Sequence, residues 1–455
     1  MTSATPRKRR TGGRPPGPAP RQKPRPPIPQ NARAIALDAV RRVVDEGGYS
    51  NLVIPGSLSR SSLDQRDRAF AADLAYGTVR HLRSLDWAID QRASRPVSRM
   101  TSNVRDVLRL GAFQLLFGRV APHAAVMETV SLAAPRERGF ANAVLRRLAD
   151  DPPPWPEGSD DADIAIRSGM APWAVRELRA LVRDDVEQAA VAFAERGPLC
   201  LRTNTCATSV EELTAALETA GHEPKAAPLD PDCILVDGGD PVQFPGWEKG
   251  WFAVQDQASA LVVRMLDPQV GERVLDACAG PGGKAAMAAC LVGPTGRVFA
   301  GDIHPRRAGL VKRSASRLRM ENVSVVAQDV TARAVRGPFD RVLVDAPCSG
   351  LGSARRRPEL LWRGKKEDPT ALAMGQVGIA AAASDLLKPG GRLVYAVCTF
   401  PRAETDAAAD ALVRHRPDLV PEPTFGPSGE ALRHRVWPHR DGGDGMFIAA
   451  FRKRD

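Results

Sequence analysis

Asp276-Ala277-Cys278-Ala279-Gly280-Pro281-Gly282-Gly283-Lys284 ends an apolar run that starts at Arg273 and opens a helical pattern at Gly283. A strand that turns through glycines into a helix can bring backbone N–H groups against a ligand at the helix N-terminus. The loop therefore predicts a nucleotide-like cofactor. A Walker A loop would place Gly at 278 and Ser or Thr at 285, but Cys278 and Ala285 stand there, so an ATPase reading fails twice. Gly280, Gly282 and Ala285 match a dinucleotide fingerprint in part. The competing reading of the loop alone is a tight turn with no ligand.

Working outward, apolar strands alternate with helices. Strands are predicted at Arg273 to Cys278, Arg297 to Asp302, Val323 to Asp329, Arg341 to Asp345 and Arg392 to Cys398, with helices from Gly283, from Pro305 and over 370–387. This order implies an α/β fold with a parallel, doubly wound, Rossmann-like sheet, whose ligands bind beyond the carboxyl ends of the strands. Those ends carry Asp276, Cys278, Asp302, Asp329, Asp345, Cys348 and Cys398. Asp302 is placed to accept ribose hydroxyls and Asp329 an exocyclic amine of adenine. A dehydrogenase would next need a nicotinamide site. Instead, Asp345-Ala346-Pro347-Cys348-Ser349-Gly350 and Val397-Cys398-Thr399 set two thiols over one crevice, which points to thiolate chemistry. Cys200, Cys206, Cys233 and Cys290 read as small buried hydrophobes.

Upstream the character changes. From Asn31 to about Asp150, apolar residues recur at helical spacing, as in Val104-Val107-Leu108-Leu110-Gly111-Ala112-Leu115-Leu116. Asp151-Pro152-Pro153-Pro154-Trp155-Pro156 marks a boundary. Residues 172–222 read helix, strand (Leu199 to Thr203), helix, and 232–256 read as short strands. The expected organisation is a disordered basic tail (1–30), a helical domain (31–150), a linker with a small α+β subdomain (151–265) and the catalytic domain (266–455).

The net charge of +11 over 455 residues is concentrated in that tail. Residues 1–30 hold eight Lys or Arg, nine Pro and no acid, and the remainder carries 56 basic against 53 acidic residues. Such a tail attracts polyanions by counterion release, with a solubilising extension as the alternative. It lacks the apolar core of a secretory signal, and no apolar stretch approaches the ~20 residues of a membrane helix. Seven cysteines without a C-x-x-C pair fit neither a disulfide framework nor a zinc ribbon. A cytoplasmic chain with reduced thiols and no metal is expected.

These residues resemble the cytosine-C5 RNA methyltransferases of the RsmB/NOL/NOP/Sun family, and most closely the bacterial branch that acts on small-subunit ribosomal RNA. The resemblance rests on Val254-Gln255-Asp256-Gln257-Ala258-Ser259, on Asp276 to Lys284, on Asp345 to Gly350, on Cys398, and on Trp437-Pro438-His439 with Asp444-Gly445-Met446-Phe447. In the helical part, Ala75-Tyr76-Gly77-Thr78-Val79-Arg80 and Gly139-Phe140-Ala141-Asn142-Ala143-Val144-Leu145-Arg146 resemble the domain shared with the antitermination factor NusB. One departure is Val397-Cys398-Thr399, where the family usually has Thr-Cys-Ser.

The resemblance implies S-adenosyl-L-methionine as methyl donor, small-subunit ribosomal RNA as partner, and a monomer. It makes Cys398 the nucleophile at cytosine C6, Cys348 the thiol that assists release, and Asp345 the group that relieves charge at N3. It places the cofactor on Cys278, Ala279, Gly280, Pro281, Gly282, Gly283, Lys284, Asp302, Arg307, Asp329 and Asp345. Lys284 can equally be a solvated first-turn lysine, and Arg355, Arg356 and Arg357 either hold phosphates or form a solvated loop. The alternatives are a transfer RNA cytosine-C5 methyltransferase and a non-catalytic RNA-binding assembly factor.

Overall fold

A computed structural model describes residues 31–332 and 335–455. The basic tail expected over 1–30 lies outside them. The helical part runs from Ala32–Val44 through Gln65–Arg80, Leu82–Arg92 and Ser102–Leu116 to Arg138–Asp150, with shorter helices between. Asn31 caps the first helix by accepting from the Arg33 and Ala34 N–H groups, and Asp64 caps Gln65–Arg80 through the Asp67 N–H. Val40, Leu74, Val79, Leu108 and Leu145 are almost wholly buried where these helices meet, each contributing about 1.5–3 kcal/mol of burial. Gly77 explains itself here: a Cβ at that position would lie 1.9 Å from the Phe113 ring, so only glycine lets the two helices approach. The Pro-rich segment is not a free linker, because Trp155 stacks on Trp87 at 5.3 Å and tilts against Phe117 at 5.6 Å.

Three helices, Asp161–Ser168, Pro172–Val182 and Val186–Ala194, lead into a small antiparallel sheet. Its strands are β1 (Leu199–Thr203), β2 (Lys225–Ala226), β3 (Cys233–Val236) and β4 (Phe252–Val254), in the order β2-β3-β1-β4.

The last part is a sheet of eight strands. β5 (Arg273–Asp276), β6 (Arg297–Asp302), β7 (Val323–Ala327), β8 (Phe339–Asp345) and β9 (Leu387–Val397) are parallel. After β10 (Leu419–Glu422) a separate hairpin forms from β11 (Thr424–Gly426) and β12 (Gly429–Ala431), followed by β13 (Arg433–Val436) and β14 (Met446–Lys453). The order is β10-β14-β9-β8-β5-β6-β7, with β13 also on β14. One edge therefore departs from the all-parallel expectation: β14 runs antiparallel to β9, β10 and β13. Phe447, Ile448, Ala449, Ala450 and Phe451 are all buried, and a continuous apolar run does not disclose strand direction. Among the described residues, no helix is long and apolar enough to cross a membrane.

The parts are locked together by side chains that reach backbone carbonyls. Arg80, 8% exposed, donates to the Ala194 and Glu195 oxygens at 2.9 Å and to the Arg355 oxygen at 3.2 Å. Trp362 Nε1 donates to the Val79 oxygen at 2.8 Å, and Arg363 donates to the oxygens of Val43 and Gly48 at 2.6 and 2.9 Å. The fully buried Glu359 accepts from the Ser50 hydroxyl at 2.5 Å.

One cysteine expectation is corrected. Cys206, just after β1, and Cys290, in the helix Gly283–Leu291, form a disulfide with Cα atoms 5.9 Å apart. The fold brings together residues 84 apart in sequence, a proximity that spacing alone does not reveal. Cys200 and Cys233 are buried free thiols, as expected.

Candidate active site

The carboxyl ends of β5, β6, β8 and β9 converge on one crevice. Gly282, at φ +112, takes a left-handed conformation that turns the chain from β5 into the helix Gly283–Leu291, and a Cβ there would meet the Val311 backbone at 2.9 Å. Asp302, at the end of β6, holds the loop: its carboxylate accepts the Gly280 N–H at 3.1 Å and the His304 N–H at 2.9 Å, and pairs with Arg307 Nε at 3.3 Å. Arg307 closes the ring by donating to the Gly280 oxygen at 2.8 Å. A carboxylate has about four acceptor positions, so Asp302 keeps one for a ligand.

Asp276 is 1% exposed and its Oδ1 has no hydrogen-bond partner. Burial and the neighbouring Asp345 charge push its pKa up to about 7. A buried orphan acceptor of this kind suits a cationic or N–H-bearing ligand. Gln328, between β7 and Asp329, likewise leaves both amide atoms unpartnered while 8% exposed. Sequence reasoning missed Gln328, although its place directly before Asp329 was a signal. Asp329 lies two residues past the end of β7, half-buried, where it accepts from the Thr331 N–H and hydroxyl at 2.9 and 2.7 Å. The Cys278 thiol is raised well above its ordinary value by burial and then by the charges of Asp276 and Asp345, so it is a protonated wall of the crevice.

Lys284 is not a solvated first-turn lysine. Its Nζ pairs with Asp345 Oδ2 at 2.7 Å and donates to Ser259 Oγ at 3.3 Å. Burial disfavours its charge, but Asp345 outweighs that and the pKa is raised. Lys284 thus stays cationic between the loop and the thiols.

The sulfurs of Cys348 and Cys398 are 3.4 Å apart. Their shared hydrogen bond acts in opposite directions, lowering the Cys398 pKa against burial, with Arg357 and Lys284 assisting, and raising that of Cys348 together with burial. Either sulfur can donate in that bond, and Cys398 is the thiol of the pair whose ionisation its surroundings favour. The loop geometry beneath them depends on residues that sequence reasoning did not find. Glu404, wholly buried, accepts from the Ser349 N–H at 2.8 Å, from the Ser349 hydroxyl at 2.5 Å and from Gln376 Nε2 at 2.9 Å. Tyr395 donates to Gln376 Oε1 or to the Glu404 backbone oxygen, at 2.8 and 2.7 Å. Thr399 meets Ser349 hydroxyl to hydroxyl at 2.7 Å, so the Val-Cys-Thr departure retains its polar link between the two thiol-bearing loops.

Neither reading of the arginine triplet describes Arg355 and Arg356. Arg355 donates to the Gly442 oxygen at 2.8 Å, and Arg356 bridges Asp444 at 2.8 Å and Asp256 at 2.7 Å. They are internal clamps on the segment that follows Cys348. Arg357 alone turns toward the crevice, donating to Ser353 Oγ at 3.0 Å.

Such a sheet, with a glycine loop held by acids and two thiols at the neighbouring strand ends, places the chain in the class of Rossmann-type methyltransferases. Residues 263–452 match the family described as 16S rRNA methyltransferase RsmB/F, 170–243 its ferredoxin-like domain, and 30–150 the NusB family. Ribosomal RNA small subunit methyltransferase B of Yersinia enterocolitica is 34% identical over 433 residues, 93% of this chain and 99% of that one. The protein of the same name from Klebsiella pneumoniae strain 342 is 32% identical over 437 residues, 93% and 98% of the two chains. The crystal structure of PH0851 shares the fold, with a TM-score of 0.79 at 22% identity over 94% of this chain and 99% of that one. The chain belongs to the RsmB/F family of 16S rRNA methyltransferases.

Proposed function

We propose that the chain methylates C5 of a cytosine in small-subunit ribosomal RNA through a covalent bond between Cys398 and C6. The observation that carries this reading is the pair of thiols 3.4 Å apart at the ends of neighbouring strands, with Lys284 paired to Asp345 beside them. Cytosine C5 is a poor nucleophile. Addition of the Cys398 thiolate to C6 makes the ring enamine-like and C5 nucleophilic. Addition leaves negative charge spread onto N3, and a proton passed to N3 from the Lys284 ammonium by way of Asp345, which stand 2.7 Å apart, makes the adduct neutral. S-adenosyl-L-methionine, when bound, supplies an electrophilic methyl group. The residues that would hold it are the 278–284 loop, Asp302 with Arg307, and Gln328 with Asp329; orphaned Asp276 Oδ1 suits its ammonium end. When a water molecule takes the C5 proton, the C–H electron pair re-forms the C5–C6 double bond and the C6–S bond breaks, its pair returning to the Cys398 sulfur, where Cys348 can supply a hydrogen bond.

The decisive experiment incubates the purified chain with 16S rRNA and a methyl-labelled donor, then digests the RNA and identifies the nucleoside. 5-Methylcytidine at one position, matched by bisulfite mapping of rRNA from cells with and without the gene, is the expected result. Label in another nucleoside, or in transfer RNA alone, would overturn the reading.

A further inference from the structure

The loop between the first two helices carries Tyr49, which is 48% exposed although the residues around it are tightly held. On one side Ser50 is bonded through its N–H and hydroxyl to the buried Glu359 at 3.2 and 2.5 Å. On the other, Arg363 grips the Gly47 and Gly48 oxygens at 3.2 and 2.9 Å. A large aromatic ring is thus presented to solvent on a rigid support. The Arg357 and Arg363 guanidinium carbons lie over its ring, 5.8 and 5.9 Å from the centroid, near the outer limit of a cation–π contact, and leave the residue 48% exposed. Arg357 also borders the catalytic loop: a Cβ on Gly350 would lie 2.8 Å from its Nη2. It makes no ion pair with any carboxylate among the described residues, whereas Arg356 makes two.

An exposed aromatic face between two half-buried arginines, adjoining a catalytic loop, has the composition of a single-stranded nucleic-acid platform, in which the ring stacks a base and the cations hold its phosphates. We infer that Tyr49, Arg357 and Arg363 bind an unpaired nucleotide flanking the target base, with its base stacked on Tyr49 and its phosphate on Arg357. The inference rests on the proposed RNA substrate. It adds a contact from the helical part to the catalytic crevice, and it gives Arg357 a ligand that its neighbours Arg355 and Arg356 cannot share.

The test measures equilibrium affinity for a 16S rRNA transcript in a full-length Cys398→Ala background, where no covalent bond forms. Stacking of one base is worth ~1–3 kcal/mol, or about 5- to 150-fold in affinity. Tyr49→Ala and Tyr49→Leu should each weaken binding within that range, and Tyr49→Phe should retain it, with unchanged melting curves for all three. Arg357→Gln should weaken binding and flatten the salt dependence by roughly 0.7, the value of one single-strand phosphate contact. In a short RNA, one abasic nucleotide near the bound site should weaken binding to the Tyr49 chain and make no further difference to Tyr49→Ala. Unchanged affinity of Tyr49→Ala, Tyr49→Leu binding as well as Tyr49→Phe, or abasic losses that simply add would each overturn the inference. Because the readout is binding, a chain that holds the transcript through Tyr49 but forms no 5-methylcytidine would refute the proposed function and leave the platform standing.

Discussion

Replacing Arg356 by methionine separates an internal clamp from an RNA contact. The guanidinium joins Asp256 at 2.7 Å and Asp444 at 2.8 Å and donates to the Pro198 oxygen at 3.2 Å, and the two acids are 8% and 7% exposed. Removing it leaves two facing buried carboxylates, and breaking a buried pair in this way costs about 3–5 kcal/mol. For a cooperative unit of roughly 150–250 residues that is a fall in Tm of about 6–20 °C. The sign of its pH dependence follows from Asp444, whose pKa is pushed up from 3.8 to about 6 by burial and by Asp256. A carboxyl raised on folding stabilises the fold in its protonated form, fully below the unfolded value and no longer above the folded one. Arg356 lowers the Asp444 value, so its loss raises it further and extends protonation to higher pH. The Tm deficit of Arg356→Met should therefore be largest near pH 8 and shrink near pH 5.5, read by calorimetry on variant and parent at both. An equal deficit at both pH values would refute the carboxylate argument. Unchanged Tm with weakened RNA affinity would restore Arg356 to the phosphate-holding role read from its sequence.

Cys398→Ala should abolish methyl transfer while the methyl donor still binds, measured by calorimetric titration beside a single-turnover assay; substantial turnover would exclude it as nucleophile. Cys348→Ala should permit attack and stall release, giving a denaturant-resistant protein–RNA band on a gel, and normal turnover without that band would make Cys348 structural. Gly77→Ala should destabilise the helical part by about 1–3 kcal/mol through overpacking on Phe113, seen as a lower denaturation midpoint. Removing residues 1–30 should flatten the salt dependence of RNA affinity by roughly 0.7–0.9 for each phosphate the tail had neutralised and leave single-turnover methylation at saturating RNA unchanged; identical slopes would leave the tail a solubilising extension.

The central crevice was legible because its parts recur at strand ends. Asp276, Asp302, Asp345 and Cys398 each follow an apolar run, and the glycine loop announces itself between a strand and a helix. What stayed hidden is pairing across long sequence separations. Lys284 meets Asp345 over 61 residues, Ser349 meets Glu404 over 55 and Cys206 meets Cys290 over 84, and local patterning holds no information about such distances. Arg355-Arg356-Arg357 shows the same limit in miniature. Three identical side chains in a row diverge because the backbone turns after Ser353, sending two into the molecule and one toward the crevice.

The carbonyl grips of Arg80, Trp362 and Arg363 bear on autonomy. A fragment starting after the helical part would leave the Glu359 carboxylate without its Ser50 partner and uncover Trp362, beside the loop that carries Cys348. The helical part is thus a fixed extension of the catalytic crevice and not a tethered module. If RNA is held there, as proposed, it would meet the thiols at a spacing the protein imposes, and substrate selection would become partly a measurement of length.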